Sequence, residues 1–179
     1  MIRAFTLIET MVAITVLMMA IVGPMSLTAQ SLAASYYARD QITAFNLAQE
    51  ALETVRHLRD GNMLDDVFNP GAKDSFAGIF TDGTPFTVDT HDDLINQCPS
   101  PSDGPCPLLQ TDGTLYGYNL GTNTIFTRTV TAHFVTGWAG RNDDLKVTVT
   151  VTWKTGAYQT RSFTISEDLF RWLDDGHGA

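Results

Sequence analysis

The N-terminal stretch Phe5–Leu27 constrains what this chain can fold into more than any other part of its sequence. Its 23 residues carry a single charge, on Glu9, and are otherwise apolar or small. As a helix rising 1.5 Å per residue they would extend roughly 34 Å, enough to cross a hydrocarbon core of about 30 Å. A secretory signal has a shorter apolar run followed by a small-x-small cleavage site. This run is longer and lacks such a site, so the sequence predicts one membrane-spanning helix.

The carboxylate near the start of this span needs an explanation, because a charge inside a membrane segment costs several kcal/mol unless it has a partner. Met1-Ile-Arg-Ala4 followed by Phe5-Thr-Leu-Ile-Glu9 resembles the class III signal of type IV pilins and pseudopilins. The resemblance implies that a basic leader, residues 1–4, is removed between Ala4 and Phe5 by a prepilin peptidase. It also implies N-methylation of Phe5. The family usually has glycine before the cut, and because Ala4 is the next smallest residue we expect cleavage to proceed more slowly.

Glu9 has a specific role in this interpretation. After cleavage, the α-amine of Phe5 lies one helical turn before the carboxylate of Glu9. In a filament, Glu9 of one subunit can neutralise the amine of a neighbour, because an ion pair is far stronger in a low dielectric than in water. A buried pair can fix register, so we hypothesise that Glu9 sets subunit docking. The alternative is that Glu9 snorkels to the lipid headgroups as an inert charge.

The resemblance also implies partners and a location. The partners are other pilin or pseudopilin subunits and an inner-membrane assembly platform. Arg3 lies before the span and keeps that end in the cytoplasm. We therefore expect a single-pass inner-membrane protein with its N-terminus inside, which then enters an extracellular or periplasmic filament.

The two cysteines fit an exported domain. Cys98 and Cys106 are eight residues apart in a proline-rich stretch, and this spacing in an oxidising compartment predicts a disulfide that closes a small loop. Free thiols are the alternative. A metal site would need two further ligands, and no nearby histidine pair supplies them. We expect no metal and no cofactor.

A helical period resumes after Gly23 and Pro24 and continues to Asp60-Gly61-Asn62, a helix stop signal. One helix is therefore predicted from Phe5 to Asp60, with a membrane half, residues 5–27, and an amphipathic half, residues 28–60. Because proline removes a backbone donor, we expect a kink or melted turn at Gly23 and Pro24. The apolar residues of the second half recur at helical spacings and need a covering sheet; they are Leu32, Tyr36, Ile42, Phe45, Ala48, Leu52, Val55 and Leu58.

Residues 61–179 predict a β-rich extracytoplasmic head that contains the disulfide loop. Residues 145–153 alternate strictly between apolar and polar side chains, and Tyr158–Ile165 follows a turn. Across Thr124–Val135 one parity carries the apolar side chains, with Arg128 as the exception; they are Phe126, Val130, Ala132 and Phe134. We expect these three strands to form an antiparallel meander on the helix. Residues 62–79 are typical of an irregular loop, and Ser166–Leu173 predicts a short helix with Ser166 as its N-cap.

Two Asp-Gly sequences, Thr81–Thr84 and Thr111–Thr114, predict tight turns between short extended segments. The alternative is a calcium loop, although neither sequence has the alternating acidic spacing of an EF-hand. The predicted fold class is thus α+β, with a long N-terminal helix packed on an antiparallel sheet, and the resemblance implies a pilin-like fold.

The net charge and the motifs limit the classes of function that the chain can have. The formal net charge is −9, and the 11 lysines and arginines form no basic run, which argues against a broad nucleic-acid surface. No nucleophile elbow, phosphate loop or zinc signature is present, so we expect no enzyme activity. The segment Leu47–Arg56 resembles one common in minor pilins and minor pseudopilins. We expect a minor structural subunit of a type IV pilus. The alternatives are a minor pseudopilin of a type II secretion system and a membrane-anchored binding domain that does not polymerise.

Overall fold

The computed structural model describes residues 6–70, 74–76, 78–79, 81–92, 94–98, 106–135, 144–155 and 159–171. The chain divides into two compact units, Met1–Asp40 and Gln41–Ala179, and each is described by itself. One long α-helix and an antiparallel β-sheet place the protein in the α+β class, as the sequence predicted.

The helix α1 spans Leu7–Phe68, and its first part makes up the first unit. Thr6 acts as the N-cap, since the backbone N–H of Glu9 donates to the Thr6 hydroxyl at 3.4 Å. The helix is continuous through Gly23 and Pro24, so the described backbone contains no melted turn there. A bend at these residues stays a prediction.

The end of α1 differs from the prediction. The helix passes through Asp60-Gly61-Asn62 and ends at Phe68, so residues 62–68 are not the irregular loop that was expected. Met63 is 1% exposed, and the side-chain amide of Asn62 donates to the carbonyl of Ser75 at 3.2 Å. A glycine in a helix costs only about 1 kcal/mol relative to alanine, and burying a methionine side chain contributes more than that. Tertiary packing therefore overrides the local stop signal.

The described residues contain seven strands in one sheet, and every pairing between them is antiparallel. Strand β5 is the centre of the sheet. It pairs with β6 along one edge and with both β1 and β3 along the other, while β2 pairs with β1, β4 with β3, and β7 with β6. The strands are β1 Phe86–Asp89, β2 Leu94–Gln97, β3 Leu108–Thr111, β4 Tyr116–Gly117, β5 Thr122–Val135, β6 Asp144–Thr155 and β7 Gln159–Phe170.

The predicted meander is present as β5, β6 and β7. The alternation in β6 places its apolar side chains on the buried face, where Leu145 and Val149 are fully buried and Trp153 is 3% exposed. Val149 lies opposite Val130 on one side and Ile165 on the other. The period of two in the sequence therefore identified both the strands and their buried face.

The short helix predicted from Ser166 is wrong. Ser166 lies within β7, opposite Thr148, and the strand continues to Phe170. Strand β6 offers backbone partners along its whole length, and Leu169 of β7 is 2% exposed opposite Leu145. A continuous ladder outweighs a local cap of about 1 kcal/mol. Leu173, where the predicted helix ended, lies outside the described residues.

In the second unit, α1 packs on one face of the sheet. The predicted stripe is confirmed in part: Ala48, Leu52 and Val55 are buried. Ile42 at 62% exposure and Phe45 at 41% exposure are not. Phe45 instead makes an edge-to-face contact with Phe163 of β7, with ring centroids 5.5 Å apart. The buried apolar positions of the helix include three alanines; they are Ala44, Leu47, Ala48, Ala51, Leu52, Val55 and Met63.

Candidate assembly segment

Glu9 lies in the first turn of α1 and is exposed. It is the only charged residue in the sequence between Phe5 and Ala38. The carboxylate has no ion-pair partner within the described residues, although its place near the helix N-terminus is favourable because the helix dipole is positive there. A charge of this kind, alone on an apolar helix, is a natural point for an intermolecular contact.

The rest of this segment presents an almost entirely apolar surface. Residues 6–36 are exposed throughout. The hydroxyls of Thr10, Thr15 and Thr28 donate to the carbonyls of Leu7, Val12 and Pro24, each at 2.8 Å, so these polar groups are satisfied within the helix. By its length and composition α1 could cross a membrane, a property that signal sequences near an N-terminus share.

Two predicted processing residues cannot be placed in the fold. Ala4 and Phe5 lie outside the described residues, so cleavage and N-methylation stay predictions. Gly23 and Pro24 lie inside α1. Because Pro24 has no backbone N–H, the carbonyl of Ala20 lacks its usual helical partner, and this is the physical basis for the predicted kink.

The predicted disulfide is confirmed. Cys98 and Cys106 are bonded to each other and are 6% and 7% exposed. Cys98 directly follows β2, Cys106 lies two residues before β3, and the backbone N–H of Cys98 donates to the carbonyl of Pro85 at 3.0 Å. The disulfide therefore ties the β1–β2 hairpin to the β3–β4 hairpin.

Arg128 is the most unusual residue of the second unit, because its side chain is fully buried. It points from β5 towards the helix, where the guanidinium donates to the carbonyl of Leu47 at 3.0 Å and to the carbonyl of Val88 on β1. A carboxylate oxygen of Glu50 lies 3.7 Å from the guanidinium, and the Glu50 side chain is 41% exposed. The sequence marked Arg128 as an exception in an apolar row, but only the fold reveals these partners.

Asp89 and Tyr118 form a second set of buried polar contacts. The carboxylate of Asp89, which is 3% exposed, accepts hydrogen bonds from the backbone N–H groups of His91 and Tyr118, both at 3.1 Å. The Tyr118 hydroxyl donates to the carbonyl of Arg128 at 3.4 Å. Burial raises the pKa of Tyr118 above its ordinary value of 10.0, so the phenol is neutral at physiological pH.

The aspartates of the two Asp-Gly turns accept hydrogen bonds from backbone N–H groups. Asp112 accepts hydrogen bonds from the backbone N–H groups of Leu115 and Thr114 at 2.9 and 2.8 Å. These bonds hold the pKa of Asp112 below its ordinary value of 3.8. Thr111–Thr114 is thus the predicted turn between β3 and β4. Asp82, in the other turn, accepts from the backbone N–H of Phe134 at 3.1 Å. Within the described ranges, no group of three metal-ligating side chains comes together.

Comparison with known proteins gives no match: no family model, no curated protein and no solved structure matches this chain. The interpretation of its function therefore depends on its own residues and on the resemblance of its N-terminal motif.

Proposed function

We propose that the chain is a minor structural subunit of a type IV pilus that assembles through its N-terminal helix. The observation that carries the proposal is a lone carboxylate, Glu9, in the first turn of an exposed apolar helix. In this proposal, prepilin peptidase cuts between Ala4 and Phe5 and the new terminus is methylated. The helix is held in the inner membrane until the subunit joins a filament.

The exposed apolar side chains along the first part of α1 support the proposal that this part contacts lipid or other helices. A free helix that presents Leu7, Met19 and Met25 at 78%, 77% and 68% exposure must be covered by lipid or by other apolar helices in an aqueous cell. A bundle of such helices would place Glu9 in a low dielectric, where it needs a positive partner. The α-amine of a neighbouring processed subunit has the right charge and lies at the right end of the helix.

The proposal is tested by asking whether the protein enters filaments in its native cells. The full chain and a Glu9→Gln variant are expressed in place of the native gene, and surface filaments are sheared off and probed for the protein. We expect the native chain in the sheared fraction and at least a tenfold loss for Glu9→Gln. Glu53→Gln, an exposed glutamate on the same helix, is the matched control and is expected to behave as the native chain.

The other candidates give different results in this experiment. A minor pseudopilin of a type II secretion system would stay in the cell envelope, cross-linked to pseudopilins, and would still require Glu9. A membrane-anchored binding domain would stay monomeric, and Glu9→Gln would change neither its location nor its cross-linking. Equal recovery of Glu9→Gln and native protein in filaments would remove the assembly role of Glu9.

A further inference from the structure

The second unit contains an open cleft of about 550 Å³ between the β1–β2 hairpin and the β3–β4 hairpin. It exists because β1 and β3 pair with the same edge of β5 one after the other and do not pair with each other. The disulfide joins the two hairpins across this gap. It therefore limits how far the two hairpins can move apart. The volume lies within the range of small-molecule sites.

The lining of the cleft is rich in side-chain amides, which come from four different parts of the sheet. Asn96 and Gln97 come from β2, Gln110 from β3 and Asn123 from β5, while Asn119 follows β4. Each amide offers two donors and an acceptor oxygen. Because Asn96 and Gln97 are consecutive on a strand, their side chains point to opposite faces, which leaves four amide residues on one side of the sheet. Four such groups can match a ligand that carries many hydroxyls, since each hydroxyl also both donates and accepts.

Some of these amides are positioned by the protein, and others are left for a ligand. Gln97 donates to the hydroxyl of Thr81 at 2.7 Å, and Gln110 donates to the amide oxygen of Asn123 at 3.1 Å. Asn96 and Asn119 line the cleft and are exposed, so their side chains are open to solvent. They are the groups that can meet an incoming molecule.

The part of the cleft wall that the structure describes carries no charged side chain. No lysine, arginine, aspartate or glutamate is among its described lining residues. A charged ligand would lose its hydration without gaining an opposite charge, and a purely apolar one would leave the amides unpaired. Pro107, Leu108 and the ring of Tyr118 supply the apolar part of the wall, and an aromatic ring next to polar groups suits the C–H face of a sugar.

We propose that this cleft binds a neutral carbohydrate, with Asn96 and Asn119 hydrogen-bonding its hydroxyl groups and the ring of Tyr118 packing against its apolar face. The inference is independent of the proposed filament function, because it depends only on the second unit. An uncharged peptide is the nearest competing ligand, and the test includes one.

The test is saturation-transfer difference NMR on the full chain, purified in a detergent without a sugar headgroup. The probes are three neutral disaccharides (maltose, lactose and N,N′-diacetylchitobiose), the acidic sugar sialyllactose and the neutral peptide trialanine. We expect transfer to at least one neutral disaccharide and none to the other two probes. Asn96→Ala and Asn119→Ala should each weaken that binding roughly tenfold, the effect of one lost hydrogen bond.

Matched variants separate a lost site from a lost fold. Asn46→Ala changes an exposed asparagine on α1 outside the cleft and should leave binding unchanged. Asn119→Asp keeps the size of the side chain, replaces the amide donors by a charge, and should also weaken binding. Transfer to none of the neutral disaccharides, transfer to sialyllactose or trialanine alone, or equal binding by all variants would each overturn the proposal.

Discussion

Replacing the buried Arg128 with alanine should lower the free energy of unfolding by about 3–6 kcal/mol, the contribution of two hydrogen bonds from a charged donor. The guanidinium makes two hydrogen bonds to carbonyls, those of Leu47 and Val88, and a hydrogen bond from a charged donor contributes about 1.5–3 kcal/mol. These bonds join the helix to β1 and β5, so their loss weakens the packing of α1 on the sheet.

The ion pair with Glu50 should contribute far less. The two charged groups are 3.7 Å apart and the Glu50 side chain is 41% exposed, so water screens the attraction. Arg128 itself is buried, but the half-exposed carboxylate of Glu50 keeps its contact with water, so we assign the pair about 1 kcal/mol, the upper end of the range for exposed pairs. The second oxygen of the Glu50 carboxylate also accepts a hydrogen bond from the hydroxyl of Thr90, which Arg128→Ala leaves intact. We therefore expect Glu50→Gln to cost about 1 kcal/mol or less.

The assay is urea unfolding of the full chain in detergent, followed by tryptophan fluorescence, for Arg128→Ala, Glu50→Gln and the double variant. Trp153 lies in the core at 3% exposure and should report the loss of the sheet. A double-mutant cycle isolates the pair energy, and we expect a coupling below about 1 kcal/mol. A coupling above about 2 kcal/mol, or a cost of Arg128→Ala below about 1 kcal/mol, would refute the assignment of stability to the carbonyl contacts.

Three further predictions concern the same unit. Gly61→Ala should stabilise the protein by about 0.5–1 kcal/mol, since Gly61 lies inside α1 with open space around it. Gly83→Ala should destabilise it by about 1–2 kcal/mol, because Gly83 has a φ of +69°. Equal shifts in melting temperature for the two variants would contradict this. Replacing Cys98 and Cys106 by serine should cost about 2–3 kcal/mol in urea unfolding, and a reducing agent should then have no additional effect. The carboxyl of Asp112 should titrate below 3.8 by NMR, because two backbone N–H groups donate to its charged form. The stabilisation of its turn is therefore present above the unfolded-state pKa and is lost as the pH falls through the lowered pKa, and a titration at or above 3.8 would exclude this role.

The regular alternation of apolar and polar residues made the central sheet predictable. The errors arose where tertiary packing outweighed a local conformational preference. The alternation in β6 can bury its apolar side chains only if the segment is a strand with one covered face. The same pattern therefore predicts the strand, its buried face and its register with the neighbouring strands. The stop signal near Gly61 and the cap at Ser166 are local preferences of about 1 kcal/mol. Burial of Met63 and the ladder between β6 and β7 exceed them, and neither could be weighed before the partner elements were placed.

The polar contacts of the second unit were less accessible to sequence reasoning. Arg128 stood out as a charge in an apolar row, but its partners Leu47 and Val88 are 81 and 40 residues away in sequence. The amide-lined cleft is spread over β2, β3, β5 and the residues after β4, so no short motif could reveal it. The Cys98–Cys106 pair was predictable because the chain has no other cysteine.

The central claim is that this chain is processed as a prepilin, and the N-terminus of the mature protein tests it most directly. The protein is isolated from native membranes with its peptidase present, and its intact mass and N-terminal peptide are measured by mass spectrometry. The account predicts a chain that begins at N-methylated Phe5. A chain that still begins at Met1 would contradict it, and the non-polymerising membrane anchor would then become the better explanation of the N-terminal helix.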